Sequence, residues 1–120
     1  MLEALSRNFQ RHEFVCPCCH AYGMDPVLLT RLQALRDTVQ IPLIVVSGFR
    51  CDQHNLMVGG KPGSKHLLGQ AVDLRIKNFD PATRYRLIKT AFAMGFTGVG
   101  IGKVELHLDV RNGQSVSWGY

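Results

Sequence analysis

The heptapeptide VELHLDV, residues 104–110, alternates strictly between apolar and polar side chains. A period of two is typical of a strand that buries one face and leaves the other open. The polar face carries Glu105, His107 and Asp109, while the apolar face consists of Val and Leu only. The sequence therefore predicts a half-buried strand with two acids and a histidine on its open face.

A second alternating segment, AVDLRI at residues 71–76, places Asp73 and Arg75 opposite its apolar side chains. If the two strands are neighbours, Asp73 and His107 can point into one cleft, and His66 enters from the loop just before. Two imidazoles and a carboxylate form a three-ligand set that leaves a fourth zinc position open. A single His or Asp on a strand is more often solvated or hydrogen-bonded than a ligand, so alternation alone leaves both interpretations open.

Two helices are predicted from Asp-Pro starts, in which Asp caps the helix and Pro takes its first position. The first covers residues 26–39, with leucines at helical spacing. The second runs from Pro81 to about Met94 before Gly95, and its apolar stripe is Tyr85, Ile88, Ala91 and Phe92. The expected fold is α+β, a small antiparallel sheet with two main helices on one side and a cleft on the other.

The remaining segments are assigned more coarsely. Residues 43–46 predict a short buried strand, residues 47–64 a long loop, and residues 98–102 a glycine-rich stretch. The tail, residues 112–120, predicts a hairpin turn and a last short strand. Residues 1–24 form an irregular N-terminal segment packed on a single domain that spans residues 1–120.

Composition limits the class of protein. The chain has 120 residues, 46% of them hydrophobic, and a net charge of +5. It can bury one core but is too short for two ordinary domains, and its positive charge suits an anionic partner. No apolar stretch approaches the ~20 residues of a membrane span. Residues 1–10 lack the apolar core of a signal peptide, so we expect synthesis in the cytoplasm and export by another route.

Four cysteines, Cys16, Cys18, Cys19 and Cys51, form an unusual set for so small a chain. They allow three disulfide pairings, and the sequence does not choose among them. In a reducing compartment the same residues could be free thiols or hold a structural zinc ion. Either a disulfide or a metal would fasten the N-terminal segment to the residue after Arg50.

The segment SKHLLGQAVD, residues 64–73, resembles the SxHxxGxAxD signature of the M15 zinc peptidases. This family includes D-alanyl-D-alanine carboxypeptidases and dipeptidases and the L-alanyl-D-glutamate endolysins of phages. Other segments resemble further elements of the family: EFVC (13–16), SGFR (47–50), NLMVGG (55–60), GIG (100–102) and HLD (107–109). The resemblance covers about residues 9–120 and implies the zinc fold that the family shares with hedgehog-type proteins.

By this resemblance, His66, Asp73 and His107 would bind Zn²⁺. Arg50 would lie beside the metal and hold a substrate carbonyl or carboxylate as charge develops, which suits a guanidinium. Ser64 would contact substrate or orient the loop that carries His66.

The general base is where the sequence departs from the family pattern. Many members place an acid three residues before the last histidine ligand, where this chain has Val104. Glu105 lies roughly 6–7 Å from His107 along the same strand face and is the base we expect. The alternative is a solvent-facing Glu105, with the base elsewhere or absent. Asp109 is expected to orient an imidazole rather than to serve as a fourth ligand.

The resemblance thus implies a monomeric metallopeptidase that cuts peptidoglycan stem peptides, at either D-Ala-D-Ala or L-Ala-D-Glu. It would serve phage or prophage lysis, or bacterial cell-wall remodelling. One alternative is a zinc-binding module without catalysis, which the absent acid at Val104 favours. Another is a basic nucleic-acid-binding domain, but no aromatic residues are interleaved with a basic stripe, so we expect no nucleic-acid partner.

Overall fold

The computed structural model of the chain describes residues 4–120. It contains one five-stranded sheet, formed by β1 (Val45–Ser47), β2 (Ala71–Arg75), β3 (Gly98–Ile101), β4 (Glu105–Asp109) and β5 (Val116–Gly119). The strand order is β1-β2-β4-β3-β5. The first three neighbouring pairs are antiparallel, whereas β5 runs parallel to β3. The α+β class is confirmed, but the expected antiparallel sheet is wrong because β5 makes the sheet mixed.

The position of β5 corrects the predicted hairpin at residues 112–120. A hairpin would pair the last strand with β4, but β4 already has β2 and β3 on its two sides. The free edge in reach belongs to β3. Residues 116–119 pair there in parallel, with Gly100 opposite Trp118.

The sheet is accompanied by three α-helices: α1 (Pro26–Val39), α2 (Asp52–Met57) and α3 (Pro81–Ala93). The two predicted helices are confirmed. Asp25 and Asp80 accept hydrogen bonds from backbone N–H groups of the first turns, and a proline opens each helix. Helix α2 lies inside the segment predicted as a loop. Its six residues are too few to show a helical period, and its Leu56 and Met57 side chains are exposed.

Buried apolar side chains of α1, α3 and the strands form one core. Helix α1 contributes three of its four predicted leucines, with Leu29 only partly buried, and α3 contributes Leu87 and Ala91. The predicted stripe of α3 is partly wrong, because Tyr85 and Phe92 are 69% and 50% exposed. Leu87 and Ala91, four residues apart, mark the face of α3 that meets the core.

The less regular segments also differ in part from expectation. Residues 98–101, predicted only as glycine-rich, form the strand β3 between β4 and β5. The predicted strand at residues 43–46 is shifted to β1, and that at residues 104–110 is shortened to β4. The N-terminal segment from residue 4 is mostly irregular and holds one 3-10 helix, Arg11–Glu13, with Phe9 and Phe14 buried. Residues 1–3 of the predicted segment lie outside the described residues.

The pairing of β2 with β4 positions the functional face of the sheet. Asp73 is the cross-strand partner of His107, and Ala71 is the partner of Asp109. Because side chains alternate, these residues lie on the face opposite Val72 and Leu108, which enter the core. The two polar faces predicted from sequence therefore meet.

Candidate metal centre

Three side chains from three elements meet on the polar face of the sheet. His66 comes from a 3-10 helix, Lys65–Leu68, Asp73 from the middle of β2 and His107 from the middle of β4. One potential ligand atom from each lies within 4.8 Å of the other two. His66 and Asp73 are buried, with 2% and 6% of their surface exposed. The structure thus brings together the three residues that the resemblance implies as metal ligands.

The orientation of His66 is fixed by its own backbone surroundings. Its Nδ1 lies 2.8 Å from the carbonyl oxygen of Gly48, which can only accept, so Nδ1 carries the proton. In the neutral imidazole, Nε2 then carries a lone pair and no proton. It is buried, has no hydrogen-bond partner among residues 4–120, and lies 3.2 Å from Asp73 Oδ1. A lone pair facing a carboxylate oxygen needs a cation between them, so this pair suits a metal.

His107 is oriented through its other ring nitrogen. Its Nε2 lies 2.7 Å from Oδ2 of the fully buried Asp109, and its Nδ1 lies 3.2 Å from Asp73 Oδ1. Arg111 holds Asp109 in turn, donating from Nε over 2.9 Å and from Nη2 over 2.6 Å. A carboxylate that accepts the second N–H of a ligating histidine is a common feature of metal sites. Asp109 is therefore placed to orient the His107 ring so that its Nδ1 faces Asp73.

The charges at the site follow from these contacts. Burial opposes ionisation of Asp73, but the two imidazoles beside it outweigh burial and hold its pKa well below the usual range. Burial likewise opposes protonation of His107, yet the carboxylates of Asp109 and Asp73 raise its pKa. Without a metal, the centre thus keeps a carboxylate ionised and attracts protons onto the imidazole. This donor set, one carboxylate and two imidazoles with fixed tautomers, fits a divalent zinc ion.

Arg50 connects the centre to the preceding loop. Its guanidinium donates to Ser47 Oγ, Asn55 Oδ1 and Asp73 Oδ2, each over 3.2 Å. Asn55 is itself buried and donates to the Lys61 carbonyl over 2.9 Å. Three of the five N–H donors of the guanidinium are thereby used, so its position is fixed while donors remain free.

An open cleft of about 880 Å³ lies over these residues. Six of the site residues predicted from sequence lie in its walls: Arg50, Ser64, His66, Asp73, Glu105 and His107. Asp109 and the four cysteines do not. Ser64 caps the 3-10 helix that carries His66, since its Oγ accepts from the His66 N–H over 3.3 Å.

Glu105 lies at the start of β4 and is half-buried. Burial raises the pKa of its carboxyl, and the negative charge of Asp73 raises it further. No hydrogen bond or ion pair within the described part of the chain engages its carboxylate. Val104, by contrast, is 49% exposed and is absent from the cleft walls. An acid that faces the cleft is therefore present one residue after the position expected from the family pattern.

Several cleft residues were not predicted from sequence. Trp118 stacks obliquely on His107 with ring centroids 5.2 Å apart, and the Arg111 guanidinium lies 5.1 Å from the centre of the Trp118 ring. Tyr120 also lines the cleft, where burial and the charge of Asp73 raise its pKa to about 12. Trp118 and Tyr120 are two residues apart, a spacing that in an extended segment indicates a shared face.

The four cysteines lie away from this centre, at the junction of the N-terminal segment and α2. All are free thiols, and Cys16 is buried while Cys18 and Cys19 are exposed. Burial disfavours the Cys16 thiolate, but backbone N–H groups from Cys51, Cys19 and Cys18 outweigh it and lower its pKa to about 7.

Comparison with known proteins identifies the family. The model of the peptidase M15 family matches residues 7–110, a range that includes the three candidate ligands and Arg50. No curated protein matches the chain. Among the described helices, none has the length and apolar character required to cross a membrane. The match extends over most of the chain, and the chain therefore belongs to the peptidase M15 family.

Proposed function

We propose that this protein is a zinc peptidase that hydrolyses an amide bond in peptidoglycan stem peptides, of the D-Ala-D-Ala carboxypeptidase or L-Ala-D-Glu endopeptidase type. The observation that supports this most directly is the convergence of two imidazole nitrogens and the Asp73 carboxylate in the wall of an open cleft. The α+β sheet with its polar face under the cleft also suits the fold that D-Ala-D-Ala peptidases share with hedgehog-type proteins.

His66, through Nε2, and His107, through Nδ1, would hold the zinc together with Asp73. Zinc at such a site polarises a carbonyl and makes water a better nucleophile near neutral pH. The protein prepares the ligands in advance, since the Gly48 carbonyl and Asp109 fix both imidazoles. Less reorganisation is then required when the metal binds.

Glu105 is the proposed general base. Its raised pKa comes from burial and from the charge of Asp73, and brings it closer to the pH at which it would act. It would accept a proton from the attacking water and deliver it to the nitrogen of the leaving amine. The carbon–nitrogen bond then breaks, and after the second proton of the water has also passed to the amine the products are a carboxylate and an ammonium group.

Arg50 is the proposed stabiliser of the developing charge. Its three hydrogen bonds hold the guanidinium at the cleft, and its free donors can meet the oxygen of the scissile carbonyl or a substrate carboxylate. A donor whose position is already fixed does not have to reorganise during the reaction. This preorganisation is the main reason that such donors stabilise the charge on the oxygen in the transition state.

The walls of the cleft suit a substrate that carries carboxylates. Lys61, Lys65 and Arg111 add positive charge around the centre, and Trp118 and Tyr120 supply an aromatic surface. Stem peptides are rich in carboxylates, so the positive charge of the cleft favours them. Release by a phage or prophage lysis system, or action in wall remodelling, agrees with this substrate.

One observation favours a second candidate function, a zinc-binding module without catalysis. The acid that many family members carry has been replaced by Val104, whose side chain does not line the cleft. In that case Glu105 would have no catalytic role, and a peptide would bind in the cleft without being hydrolysed.

The test compares the wild type with Glu105→Gln and, as a neighbouring control, Val104→Ala. Zinc content is measured together with the masses of muropeptides released from purified peptidoglycan. We expect Glu105→Gln to keep its zinc and to lose about 10²–10⁴-fold in kcat, the usual contribution of a general base. Val104→Ala should retain activity. If the zinc-loaded wild type releases no fragment, the peptidase proposal is overturned and the zinc-binding module without catalysis is supported.

A further inference from the structure

A second group of potential ligands lies outside the cleft. The Sγ atoms of Cys16, Cys19 and Cys51 all lie within 4.8 Å of one another, and those of Cys16 and Cys51 are 3.6 Å apart. The fourth cysteine, Cys18, is on the same turn, but its thiol is not part of this group of three. Three of the four thiols therefore meet, with Cys18 on the same turn, although Cys51 follows the other three by more than thirty residues.

The backbone holds these thiols together. The Cys16 N–H donates to the Ala21 carbonyl over 2.9 Å, and the His20 N–H donates to the Cys16 carbonyl over 2.8 Å. His20 has the left-handed value φ 62°, which an L-residue adopts rarely. This closed turn brings the thiols of its tip back toward Cys16. The Phe49 N–H donates to the Phe14 carbonyl over 2.9 Å and fixes the turn beside Cys51.

Backbone donors also point at the sulfur atoms. The Cys51 N–H lies 3.5 Å from Cys16 Sγ, and the His54 N–H lies 3.5 Å from Cys51 Sγ. Such N–H···S contacts favour the thiolate over the thiol, and the thiolate is the form that binds metals. The surroundings of the cluster therefore suit anionic sulfur.

The arrangement suits a metal better than a disulfide. Zinc–sulfur bonds of about 2.3 Å in a tetrahedron place the sulfurs roughly 3.8 Å apart, which is close to the 3.6 Å observed between Cys16 and Cys51. A disulfide between these two would leave the other two thiols beside it with no role. Four thiolates, in contrast, are a complete ligand set for structural zinc.

We propose that the four cysteines bind a structural zinc ion, distinct from the centre at Asp73. The ligands are Cys16, Cys18, Cys19 and Cys51. This site fastens the turn at residues 16–21 to the start of α2, directly after Arg50 and four residues before Asn55. It therefore braces the residues that hold Arg50, and it exists whether or not the cleft is catalytic.

The two sites can be counted separately. Protein is purified under reducing conditions, and bound zinc is measured in the wild type, in Cys51→Ser and Cys19→Ser, and in His107→Ala as the matched variant of the other centre. We expect two zinc ions per wild-type chain and one in each single variant. If Cys51→Ser fails to fold, Cys19→Ser, which alters an exposed residue, gives the same count.

Cobalt substitution identifies the ligands directly. Tetrahedral thiolate ligation gives Co²⁺ an intense charge-transfer absorption in the near ultraviolet. We expect this absorption in the wild type and in His107→Ala, and its loss or weakening in Cys19→Ser. Its absence from the wild type, or a chain mass showing a disulfide under reducing conditions, overturns the proposal. Because the readout is spectroscopic, that outcome is distinct from a failure of the peptidase activity.

Discussion

Two histidines of the centre are oriented by opposite ring nitrogens. His66 donates from Nδ1 to a carbonyl and His107 donates from Nε2 to a carboxylate, so each presents its remaining nitrogen to Asp73. The two acceptors differ in strength, because the carboxylate of Asp109 is charged and is held by Arg111. The charged partner raises the basicity of His107 and should strengthen its bond to a metal.

We therefore expect Asp109→Asn to weaken zinc binding by about 10- to 100-fold, the usual effect of losing such a partner. Competition with a chromophoric chelator measures the affinity. Asp37→Asn is the matched control, because Asp37 pairs with Arg7 on the surface, where ion pairs contribute little. An unchanged affinity in Asp109→Asn would show that Asp109 does not support His107.

At the level of single residues, the sequence predicted the candidate metal ligands but not all of the residues that hold the site in place. Strand alternation placed Asp73 and His107 on open faces, the preceding loop supplied His66, and the resemblance added Arg50. Asn55, which holds Arg50, and Trp118, which packs on His107, were not assigned roles. Their contacts depend on where α2 and β5 lie in the folded chain, and no local sequence pattern predicts that placement.

At the level of elements, the glycines of β3 leave space that side chains of the neighbouring strands occupy. A Cβ on Gly98 would lie 2.2 Å from the Asp109 carboxylate oxygens, and one on Gly100 would lie 2.7 Å from the Trp118 ring. Two side chains of the site thus occupy space directly against this strand. The glycine-rich stretch is therefore required for the packing of Asp109 and Trp118.

We expect Gly98→Ala to displace Asp109, to destabilise the protein by roughly 1–3 kcal/mol and to weaken zinc binding. Thermal unfolding of the metal-free protein and the chelator assay measure the two effects. Gly63→Ala is the control, because a Cβ there meets nothing within 4 Å. Equal behaviour of the two variants would contradict this role of β3.

The elements that sequence predicted best carry their own boundary signals. Helices α1 and α3 begin at Asp-Pro pairs whose aspartates cap them. Helix α2 and strand β3 lack such signals, since one is capped by the Cys51 thiol and the other is rich in glycine. The direction of β5 depended on which sheet edge was free, and that is a property of the assembled sheet.

At the level of the whole molecule, the net charge of +5 is partly concentrated around the cleft. Lys61 and Lys65 lie in its walls, whereas Lys89 lies on α3, outside the cleft. Charge near the cleft should attract an anionic substrate more strongly than the same charge elsewhere, and salt should screen this attraction.

We expect Lys61→Gln to raise KM for peptidoglycan fragments several-fold at low ionic strength, with kcat little changed. Lys89→Gln removes the same charge from a distant surface and should have a smaller effect. Steady-state kinetics at about 0.05 M and about 0.5 M salt measure both, and the difference should shrink at the higher concentration. If both variants raise KM equally, the attraction of the substrate depends on the net charge of the protein and not on the position of Lys61.

The long sequence separation between Asp73 and His107 has a thermodynamic consequence. A ligand that binds only the folded chain adds RT ln(1 + [L]/Kd) to its stability, about 4 kcal/mol at a thousandfold excess over Kd. Because the proposed ligands come from a 3-10 helix and two strands, zinc binding and folding would form one linked equilibrium. Zinc availability would then set how much of this protein survives proteolysis, before any substrate is met.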